Sequence, residues 1–426
     1  MNWEETIALL HEGDWQGRKM GFRRMEALLG RLGNPERKLR FLHVAGTNGK
    51  GSASAMLAGI LHAAGIRTGL YISPHIREMN ERWSVDGINI SDERLRGLGE
   101  RLREQLSGMR ELPTAFELLT VLGLLYFYEE GCDAAVLEVG LGGRLDATNV
   151  IPTPDCALIM HIGLEHMAQL GDTLEKIARE KGGIIKEGGE VVLYRQRPEV
   201  ERVIREICEE KGARLTVTEE CRALPAEPED GQLFSYRQYD RLRLSLLGSY
   251  QRENAAAVLD AVEVLRRKGY RISDEAVAAG LSEVRWQGRF ELLCRAPLVL
   301  VDGAHNPNGA AALARSLREY LPGKRICFLL GVMEDKDYHE MLRIIAPLAE
   351  RFLAAVPKNA RALSKERLRD EIRSCFDGET DAFASVTEAL GHGLRIVRAG
   401  EADALVCFGS LYQVSEIRAF FQNERE

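Results

Sequence analysis

One segment constrains the fold of this chain more than any other: FLHVAGTNGKGSASAMLAGIL, which spans residues 41–61. It begins with a short apolar run typical of a buried strand and ends in an apolar stretch with helical spacing. The turn between them is rich in glycine, so its backbone N–H groups can converge on one point, where the helix N-terminus adds positive potential. This pattern is typical of a phosphate-binding loop, in which Lys50 reaches the outer phosphates and Ser52 can bind Mg²⁺.

The loop is a variant of the general P-loop pattern. Only two residues separate Gly46 from Gly49, and Gly51 stands between Lys50 and Ser52. The general pattern has four residues before its Gly-Lys pair and no residue between the lysine and the hydroxyl residue. A glycine-rich turn with an incidental surface lysine is the alternative, but the strand and helix on either side favour the phosphate loop.

Strand-like and helix-like runs alternate along the chain, which predicts an α/β fold with mainly parallel sheets joined by crossover helices. The strand-like runs of the first part lie at 69–73, 133–140, 156–163 and 191–195, and the helical runs at 117–131 and 253–269. A polar segment at 219–232 is followed by a run at 236–248 that alternates like an antiparallel strand. A second α/β series begins after Pro297, so we predict two domains, residues 1–295 and 296–426.

Composition excludes several classes of protein. The 426 residues carry a net charge of −7 without a basic arm or stripe, so we expect no nucleic-acid partner. No apolar run approaches the ~18–20 residues of a membrane span, and the N-terminus has acids where a signal peptide would be basic. The eight cysteines are scattered without a C-x-x-C pair, as is typical of free thiols in a reducing compartment. We therefore expect a soluble cytoplasmic protein that binds neither nucleic acid nor membranes.

The stretch LEVGLGGRLDATN, residues 137–149, places a carboxylate at the end of an apolar strand. In α/β sheets this is where ligand-binding residues lie, and Glu138 could bind Mg²⁺ there directly or through water. A structural ion pair is the alternative for Glu138. The glycines do not form a dinucleotide fingerprint, because G-x-G-x-x-G needs glycine where Leu145 stands.

Two histidines and a lysine follow in residues 161–186. His161 and His166 are five positions apart, so they would not share a helix face as metalloprotease ligands do. From the sequence alone, a satisfied core histidine is as good an interpretation as a ligand. Lys181 could be buried, with a lowered pKa, but its spacing favours a surface charge on the helix that starts near Thr173.

The stretch VDGAHNPNG, residues 301–309, also follows an apolar strand. Asp302 and His305 would project from the carboxyl edge of the second sheet, where ligands bind. The Asn-Pro pair and Gly309 are equally typical of turn chemistry before a helix. Both interpretations remain open from the sequence.

Together these stretches resemble one family, the folylpolyglutamate synthases and dihydrofolate synthases, which are cytoplasmic members of the Mur ligase superfamily. The similarity covers essentially the whole chain. The motifs that carry it occur in the family's order: HVAGTNGKGS, SPH followed by NERW, LEVGLGGRLDATN, GDTLEKIAREKGGIIK, GRFE, DGAHNP and DKD.

The resemblance implies roles for individual residues. With Ser52 of the loop pattern, the ATP-binding positions are Asn48, Gly49, Lys50, Gly51, Asn254, Arg289 and Asp302. The positions that match Mg²⁺ ligands are Ser73, Glu138 and His166, and those that match pterin contacts are Thr114, Leu145, Asp146 and Ala147. Lys181 matches a lysine that the family carries as a CO₂ adduct, and His305 matches an active-site residue near the γ-phosphate. The expected catalytic residues are thus Lys50, Lys181 and His305.

The resemblance also implies a reaction. Such an enzyme uses ATP and Mg²⁺ to add L-glutamate to the terminal carboxylate of tetrahydrofolate or its polyglutamates through an acyl phosphate, and it can also join glutamate to dihydropteroate. Residues 1–295 would bind ATP and folate as a P-loop ATPase-like domain. Residues 296–426 would form a smaller Rossmann-like domain that binds glutamate. We expect a monomer.

Three positions depart from the family pattern: Glu165 replaces the usual Asp before the metal histidine, Gln287 replaces the usual Pro, and Gly183 replaces the usual Ala. None removes a group with a proposed chemical role. Two alternatives remain: a Mur-type ligase that adds an amino acid to a cell-wall precursor, and a P-loop ATPase that acts as a switch.

Overall fold

The computed structural model describes residues 21–225 and 231–423. The chain divides into two compact units. The first comprises residues 1–223, 234–243 and 253–284, and the second comprises residues 224–233, 244–252 and 285–426. The chain therefore passes between the units several times before residue 285.

The strands in chain order are β1 (Arg40–Ala45), β2 (Thr68–Tyr71), β3 (Trp83–Val85), β4 (Ile88–Asn89), β5 (Ala134–Glu138), β6 (Cys156–Ile159), β7 (Glu190–Leu193), β8 (Arg214–Val217), β9 (Arg222–Leu224), β10 (Gln232–Tyr236), β11 (Tyr239–Leu244), β12 (Glu291–Arg295), β13 (Leu298–Val301), β14 (Ile326–Leu330), β15 (Ala349–Ala355), β16 (Glu379–Phe383) and β17 (Ala404–Phe408). The α-helices are α1 (Arg23–Arg31), α2 (Lys50–Ala63), α3 (Asp92–Leu106), α4 (Ala115–Glu129), α5 (Met167–Leu170), α6 (Leu174–Gly182), α7 (Pro198–Glu210), α8 (Ser249–Arg267), α9 (Asp274–Glu283), α10 (Pro307–Tyr320), α11 (Tyr338–Ile345), α12 (Lys365–Arg373), α13 (Val386–Arg398) and α14 (Leu411–Asn423).

The first unit is built on an eight-stranded sheet with the order β4-β3-β2-β5-β1-β6-β7-β8. The pairs from β2 to β8 are parallel, and β3 and β4 add an antiparallel edge. The central strands β1 and β5 are buried almost throughout, as near-continuous apolar runs in a parallel sheet should be. Val44 pairs with Glu138 in this register, so the loop after β1 and the carboxylate at the end of β5 lie at the same edge of the sheet.

The second unit is built on a six-stranded sheet with the order β12-β13-β17-β14-β15-β16, parallel except for the β12–β13 pair. Phe328, Phe352 and Phe408, one from each of three neighbouring strands, pack in its core with ring centroids 5.6 Å apart. Strand β13 ends at Val301, so Asp302 follows directly at the carboxyl edge of the sheet. The α/β fold with a large, mainly parallel sheet and a second sheet domain is thus confirmed.

A third sheet of three short strands has the order β11-β10-β9. The alternating run at 236–248 is not one strand, because Arg237 adopts a left-handed conformation (φ 48°) and separates β10 from β11. The polar segment at 219–232 lies partly outside the described residues. In the part of the chain that the structure describes, no helix has both the length and the apolar character that a membrane span needs.

Candidate active site

The predicted phosphate loop forms the turn between β1 and α2. Gly46 and Gly49 have φ angles of 151° and 90°, conformations that residues with a side chain rarely adopt. A Cβ on Gly46 would lie 2.7 Å from Met160 Cβ, and one on Gly49 would lie 2.7 Å from Asn254 Oδ1. The glycines therefore allow the close approach that the sequence predicted, and the structure brings Asn254 on α8 to the loop.

Helix α2 begins at Lys50, with Gly49 as its N-cap residue. The backbone N–H groups of Thr47 and Asn48 both donate to His161 O, at 2.7 and 3.2 Å, which ties the loop to the segment after β6. The first N–H groups of a helix have no partner within it, so the start of α2 attracts an anion. A phosphate near Lys50 would meet this positive potential.

Two lysines converge on this loop. Lys50 Nζ donates to Gly46 O at 3.1 Å and to Thr47 O at 3.3 Å, and Lys181 Nζ donates to Gly46 O at 2.7 Å. Lys181 is only 5% exposed, so its interpretation as a surface charge is wrong. Burial, and then the nearby charge of Lys50, lowers the pKa of Lys181 to about 7. Because the charged form of Lys181 is disfavoured, the positive potential of the loop comes mainly from Lys50 and the start of α2, and it favours an anionic ligand.

Helix α6 explains why Lys181 is buried. Thr173 caps it through a hydrogen bond from Lys176 N, and Ile177, Ala178 and Lys181 lie on its buried face. Residues four positions apart share a helix face, so Lys181 follows Ile177 into the interior. This spacing was a signal in the sequence that the surface interpretation overlooked.

Ser73 and Glu138 lie together at the same edge of the first sheet. Glu138 is buried, and its Oε2 accepts a hydrogen bond from the Ser73 backbone N–H at 3.2 Å. The Ser73 hydroxyl is buried with no hydrogen-bond partner among the described residues. An unpartnered hydroxyl oxygen beside a buried carboxylate fits Mg²⁺, which prefers oxygen ligands.

His166 stands immediately before the short helix α5, in a left-handed conformation with φ 52°. Its side chain is 44% exposed, so the core interpretation is wrong for this histidine, and its Nε2 lies 3.8 Å from Glu165 Oε1. Within residues 21–225 and 231–423, no three His, Cys, Asp or Glu side chains form a cluster that could hold a metal ion. The ligand set Ser73, Glu138 and His166 therefore stays a prediction.

The predicted pterin contacts Leu145, Asp146 and Ala147 lie in the loop between β5 and β6. The Asp146 carboxylate is buried and accepts hydrogen bonds from Leu141 N at 2.9 Å, Thr148 N at 3.0 Å and Thr148 Oγ1 at 2.5 Å. Burial raises the pKa of Asp146, and the hydrogen bond from Thr148 opposes this shift. The carboxylate is therefore held in one orientation.

Thr114, the fourth predicted pterin contact, is the N-cap of α4. Its Oγ1 accepts from Glu117 N at 3.2 Å, and Glu117 Oε2 accepts from Thr114 N at 2.7 Å, a reciprocal capping box. Arg24 on α1 donates to both carboxylate oxygens of Glu117, at 2.8 and 3.1 Å. Sequence reasoning missed Glu117, although the spacing T-x-x-E before an apolar helix was a usable signal.

In the second unit, Asp302 is the buried centre of a hydrogen-bond network. Its Oδ2 accepts from Tyr250 OH at 2.8 Å and Phe290 N at 2.7 Å, and its Oδ1 accepts from Ala304 N at 2.7 Å. Burial raises the pKa of Asp302, and the positive charge of Arg289 opposes this shift. No pattern in the sequence pointed to Tyr250.

In the stretch 301–309 the structure shows the turn interpretation, and the role of His305 in ligand binding stays a prediction. Asn306 is the N-cap of α10, and its Oδ1 accepts from Gly309 N at 2.8 Å, which is the expected turn chemistry. His305 Nδ1 lies 2.8 Å from Gly303 O, and because a carbonyl only accepts, Nδ1 carries a proton. Asn254 belongs to the first unit, whereas Arg289, Asp302 and His305 belong to the second.

Two family models match separate parts of the chain. Residues 44–262 match the Mur ligase middle domain, and residues 288–411 match the glutamate ligase domain of Mur ligases. The first match includes the phosphate loop, Lys181 and Asn254, and the second includes Arg289, Asp302 and His305.

Relatives match along almost the whole chain. The chain is 37% identical to "Dihydrofolate synthase/folylpolyglutamate synthase" of Bacillus subtilis, over 94% of this chain and 95% of that protein. It is 34% identical to "Folylpolyglutamate synthase" of Lacticaseibacillus casei, over 98% of each.

Solved structures give the same result. Mycobacterium tuberculosis folylpolyglutamate synthase complexed with ADP and AMPPCP superposes with a TM-score of 0.89, at 30% identity over 98% of both chains. Escherichia coli FolC in complex with DHPP and ADP gives a TM-score of 0.87, at 27% identity over 100% of this chain and 99% of that one. The chain therefore belongs to the Mur ligases and, among them, to the family of folylpolyglutamate and dihydrofolate synthases.

Proposed function

We propose that this protein is an ATP-dependent ligase that joins L-glutamate to the terminal carboxylate of tetrahydrofolate and its polyglutamates. One observation supports it most strongly: the glycine-rich loop at the start of α2, on which Lys50 and the buried Lys181 converge. The Lys50 ammonium and the N–H groups at the start of α2 give this loop a positive potential, which an oligophosphate would neutralise. ATP is therefore the expected cosubstrate.

The chemistry proceeds in two steps. A carboxylate oxygen of the folate attacks the γ-phosphorus of ATP, which forms an acyl phosphate and releases ADP. The α-amine of glutamate then attacks the acyl carbon, an amide forms, and inorganic phosphate and a proton leave. A free carboxylate is too poor an electrophile for direct amide formation, so the phosphate supplies the leaving group.

The chain's own groups stabilise charge in the first step. Lys50 and the N–H groups at the start of α2 face the position where negative charge accumulates on the transferred phosphoryl group. Preorganised donors of this kind contribute orders of magnitude in rate, because they need no rearrangement as the charge develops. Asn48, Gly49, Gly51, Ser52 and Asn254 complete the proposed ATP contacts of the first unit.

Mg²⁺ fits the oxygen donors of Ser73 and Glu138, and we propose His166 as the third ligand. When bound, the ion supplies positive charge that neutralises the phosphate oxygens. The unpartnered Ser73 hydroxyl beside the buried Glu138 is the observation that supports this site.

We further propose that Lys181 reacts with CO₂. Its burial and its pKa of about 7 leave a substantial share of the neutral amine at neutral pH. The ammonium form first loses a proton, and the neutral amine then adds to CO₂ and releases a second proton as the carbamate forms, so a cation beside the phosphate loop becomes an anion. The change would remove the repulsion from Lys50 and place an anion where a metal ion can attract it.

Substrate contacts are divided between the two parts of the chain. Thr114, Leu145, Asp146 and Ala147 are the proposed pterin contacts of the N-terminal domain, residues 1–295. Arg289 and Asp302 are proposed ATP contacts, and His305 is placed near the γ-phosphate. The C-terminal domain, residues 296–426, is proposed to bind the incoming glutamate.

Dihydropteroate is the proposed second acceptor. The Bacillus subtilis relative carries both activities in its name, and the Escherichia coli relative was solved in complex with DHPP. Because dihydropteroate also ends in a carboxylate, the same two steps would join it to glutamate and give dihydrofolate.

The proposed enzyme works as a monomer in the cytoplasm, without a nucleic-acid or membrane partner. Its net charge of −7 is opposite to that of a nucleic-acid binder, and none of its eight cysteines, all of them within the described residues, is in a disulfide. Sedimentation of the purified protein at micromolar concentration checks the oligomeric state, and a single species near 47.6 kDa is expected.

The function is tested by measuring ADP release with purified protein, ATP, Mg²⁺, L-glutamate and each acceptor in turn. Rapid ADP release should need both tetrahydrofolate and glutamate. An ATPase switch would release ADP without either substrate, and a cell-wall ligase would require a nucleotide-linked peptide precursor instead. Either result would overturn the proposal.

A further inference from the structure

We propose that His43 and Thr148 are positioning residues for pterin recognition, because they form a buried hydrogen-bond relay that fixes the carboxylate of Asp146. This inference rests on the proposed function through the role of Asp146 as a pterin contact. His43 lies on β1, two residues before Ala45, and Thr148 lies in the loop after β5. The relay thus connects the strand of the phosphate loop to the loop that carries the pterin contacts.

The relay is completely enclosed. The exposed fractions of His43 and Thr148 are both 0%, and that of Asp146 is 6%. His43 Nε2 lies 2.8 Å from Thr148 Oγ1, and Thr148 Oγ1 lies 2.5 Å from Asp146 Oδ1. The three side chains therefore form one continuous chain of hydrogen bonds.

The direction of each hydrogen bond follows from chemistry. An ionised carboxylate only accepts, so the Thr148 hydroxyl donates to Asp146, and the short distance is typical of a charge-assisted bond. The Thr148 oxygen is then an acceptor for His43, so Nε2 must carry the proton of the ring. Burial, and then the charge of Lys186, lowers the pKa of His43 to about 3, which keeps the ring neutral with that single proton.

The other ring nitrogen shows that His43 is not there for packing alone. Nδ1 of His43 is buried without a hydrogen-bond partner among the described residues. Leaving a buried polar atom unpartnered is unfavourable, and an apolar side chain at the centre of the sheet would avoid it. The histidine therefore has a role that an apolar side chain could not fill, which is its hydrogen bond with Thr148 Oγ1.

Fixing this carboxylate matters for the ligand. One edge of a pterin ring presents two adjacent donors, the 2-amino group and N3–H, and a carboxylate can accept both when it is ionised and correctly turned. The Thr148 hydroxyl favours the ionised form and holds Oδ1, while Leu141 N holds Oδ2. Without the relay, the carboxylate would more readily rotate or take up a proton in its buried site.

The test measures KM for tetrahydrofolate and for ATP in matched variants. Thr148→Val removes the hydroxyl at nearly constant shape, and Thr148→Ser keeps it. His43→Leu removes the N–H donor, whereas the side-chain amide of His43→Gln can still donate to Thr148. Thr68→Val is the control, because Thr68 is a buried threonine of the same unit whose hydroxyl donates only locally, to Ile66 O at 2.8 Å.

We expect Thr148→Val and His43→Leu each to raise KM for tetrahydrofolate about tenfold, because each weakens a hydrogen-bond chain to a charged group. KM for ATP should change by less than about twofold, and Thr148→Ser, His43→Gln and Thr68→Val should stay close to the wild-type KM values. The double variant His43→Leu/Thr148→Val should be no worse than Thr148→Val, because His43 acts through that hydroxyl.

Three results would overturn the relay. KM for ATP could rise as much as KM for tetrahydrofolate, or His43→Gln could raise KM for tetrahydrofolate as much as His43→Leu does. The third is that the effects of His43→Leu and Thr148→Val on KM add up in the double variant. If His43→Leu does not fold, the comparison of Thr148→Val with Thr148→Ser decides alone. Asp146→Asn tests the relay separately from the proposed function. If the wild-type enzyme ligates tetrahydrofolate but Asp146→Asn leaves its KM unchanged, the relay is wrong while the proposed function stands.

Discussion

Lys181 in the first unit and Asp302 in the second are both buried charged groups at the carboxyl edge of a parallel sheet, but their surroundings differ. Asp302 accepts three hydrogen bonds, from Tyr250, Phe290 and Ala304. Lys181 donates to one backbone carbonyl, Gly46 O, at 2.7 Å. A satisfied buried charge stabilises the fold around it, whereas a poorly satisfied one is costly to the fold and is typical of a functional site.

We expect the largest effect on activity from a substitution in the phosphate loop. Lys50→Ala should lower kcat by a factor of about 10³ or more, because it removes a positive charge directed at the transferred phosphoryl group. Steady-state kinetics and a thermal melt measure activity and folding together. Lys176→Ala, which removes an exposed lysine paired with Asp172, is the control and should retain normal turnover. A folded Lys50→Ala enzyme with near-normal kcat would show that the loop does not bind the γ-phosphate.

Lys181→Met sharpens the contrast between the two buried charges. It should lower kcat by about two to three orders of magnitude while raising stability, because an apolar side chain replaces a poorly satisfied buried amine. The carbamate is checked by ¹³C NMR of the wild-type enzyme in ¹³C-bicarbonate, where a resonance absent from Lys181→Met should appear. An active, metal-loaded enzyme without that resonance would contradict the carbamate.

Asp302→Asn should lower stability, whereas Lys181→Met should raise it. The amide group cannot accept from both Tyr250 and Phe290 N while also accepting from Ala304 N, so a buried donor loses its partner and the free energy of unfolding should fall by about 1–3 kcal/mol. Tyr250→Phe removes only one hydroxyl and should cost about 1 kcal/mol. Chemical denaturation measures both. Equal stability of the wild-type protein and Asp302→Asn would mean that the hydrogen bonds to Asp302 do not stabilise the carboxyl edge of the second sheet.

The pH dependence of stability gives a smaller effect of defined sign. The pKa of Lys181 is about 7 in the folded protein and about 10.4 in an unfolded chain, so the unfolded state binds more protons between these values. The contribution of Lys181 to stability therefore rises with pH across this window, by at most about 1.4 kcal/mol per pH unit. Denaturation curves are recorded from pH 7 to 10 without CO₂. The free energy of unfolding should rise less over this range for Lys181→Met than for the wild-type protein. Identical slopes would contradict the lowered pKa.

Local patterns in the sequence were enough to predict much of the fold. The apolar run at 41–45, its glycines and the following helix correspond to β1, the loop and α2, because each depends on neighbouring residues only. The strand before Asp302 was predicted on the same basis. In both cases the chemistry-bearing residue follows a parallel strand, so the sheet edge could be predicted without knowing the packing.

Contacts between distant residues could not be predicted in this way. The pairs Tyr250–Asp302, Arg24–Glu117 and His43–Thr148 are 52, 93 and 105 residues apart in sequence. Their partners are chosen by the packing of whole elements, about which local periodicity says nothing. Lys181 is a different case, because its spacing from Ile177 was a local signal for the buried helix face that the surface interpretation overlooked.

The proposed mechanism depends on an acyl phosphate, and transfer of an isotope label from the folate carboxylate tests for that intermediate. Tetrahydrofolate labelled with ¹⁸O in its terminal carboxylate is converted with ATP and L-glutamate, and the inorganic phosphate is analysed by mass spectrometry. One carboxylate oxygen bonds to phosphorus in the first step and leaves with it in the second, so we predict one labelled oxygen in each phosphate released by ligation. Label in AMP, or phosphate without label, would contradict the acyl-phosphate mechanism and the roles proposed for Lys50 and Lys181.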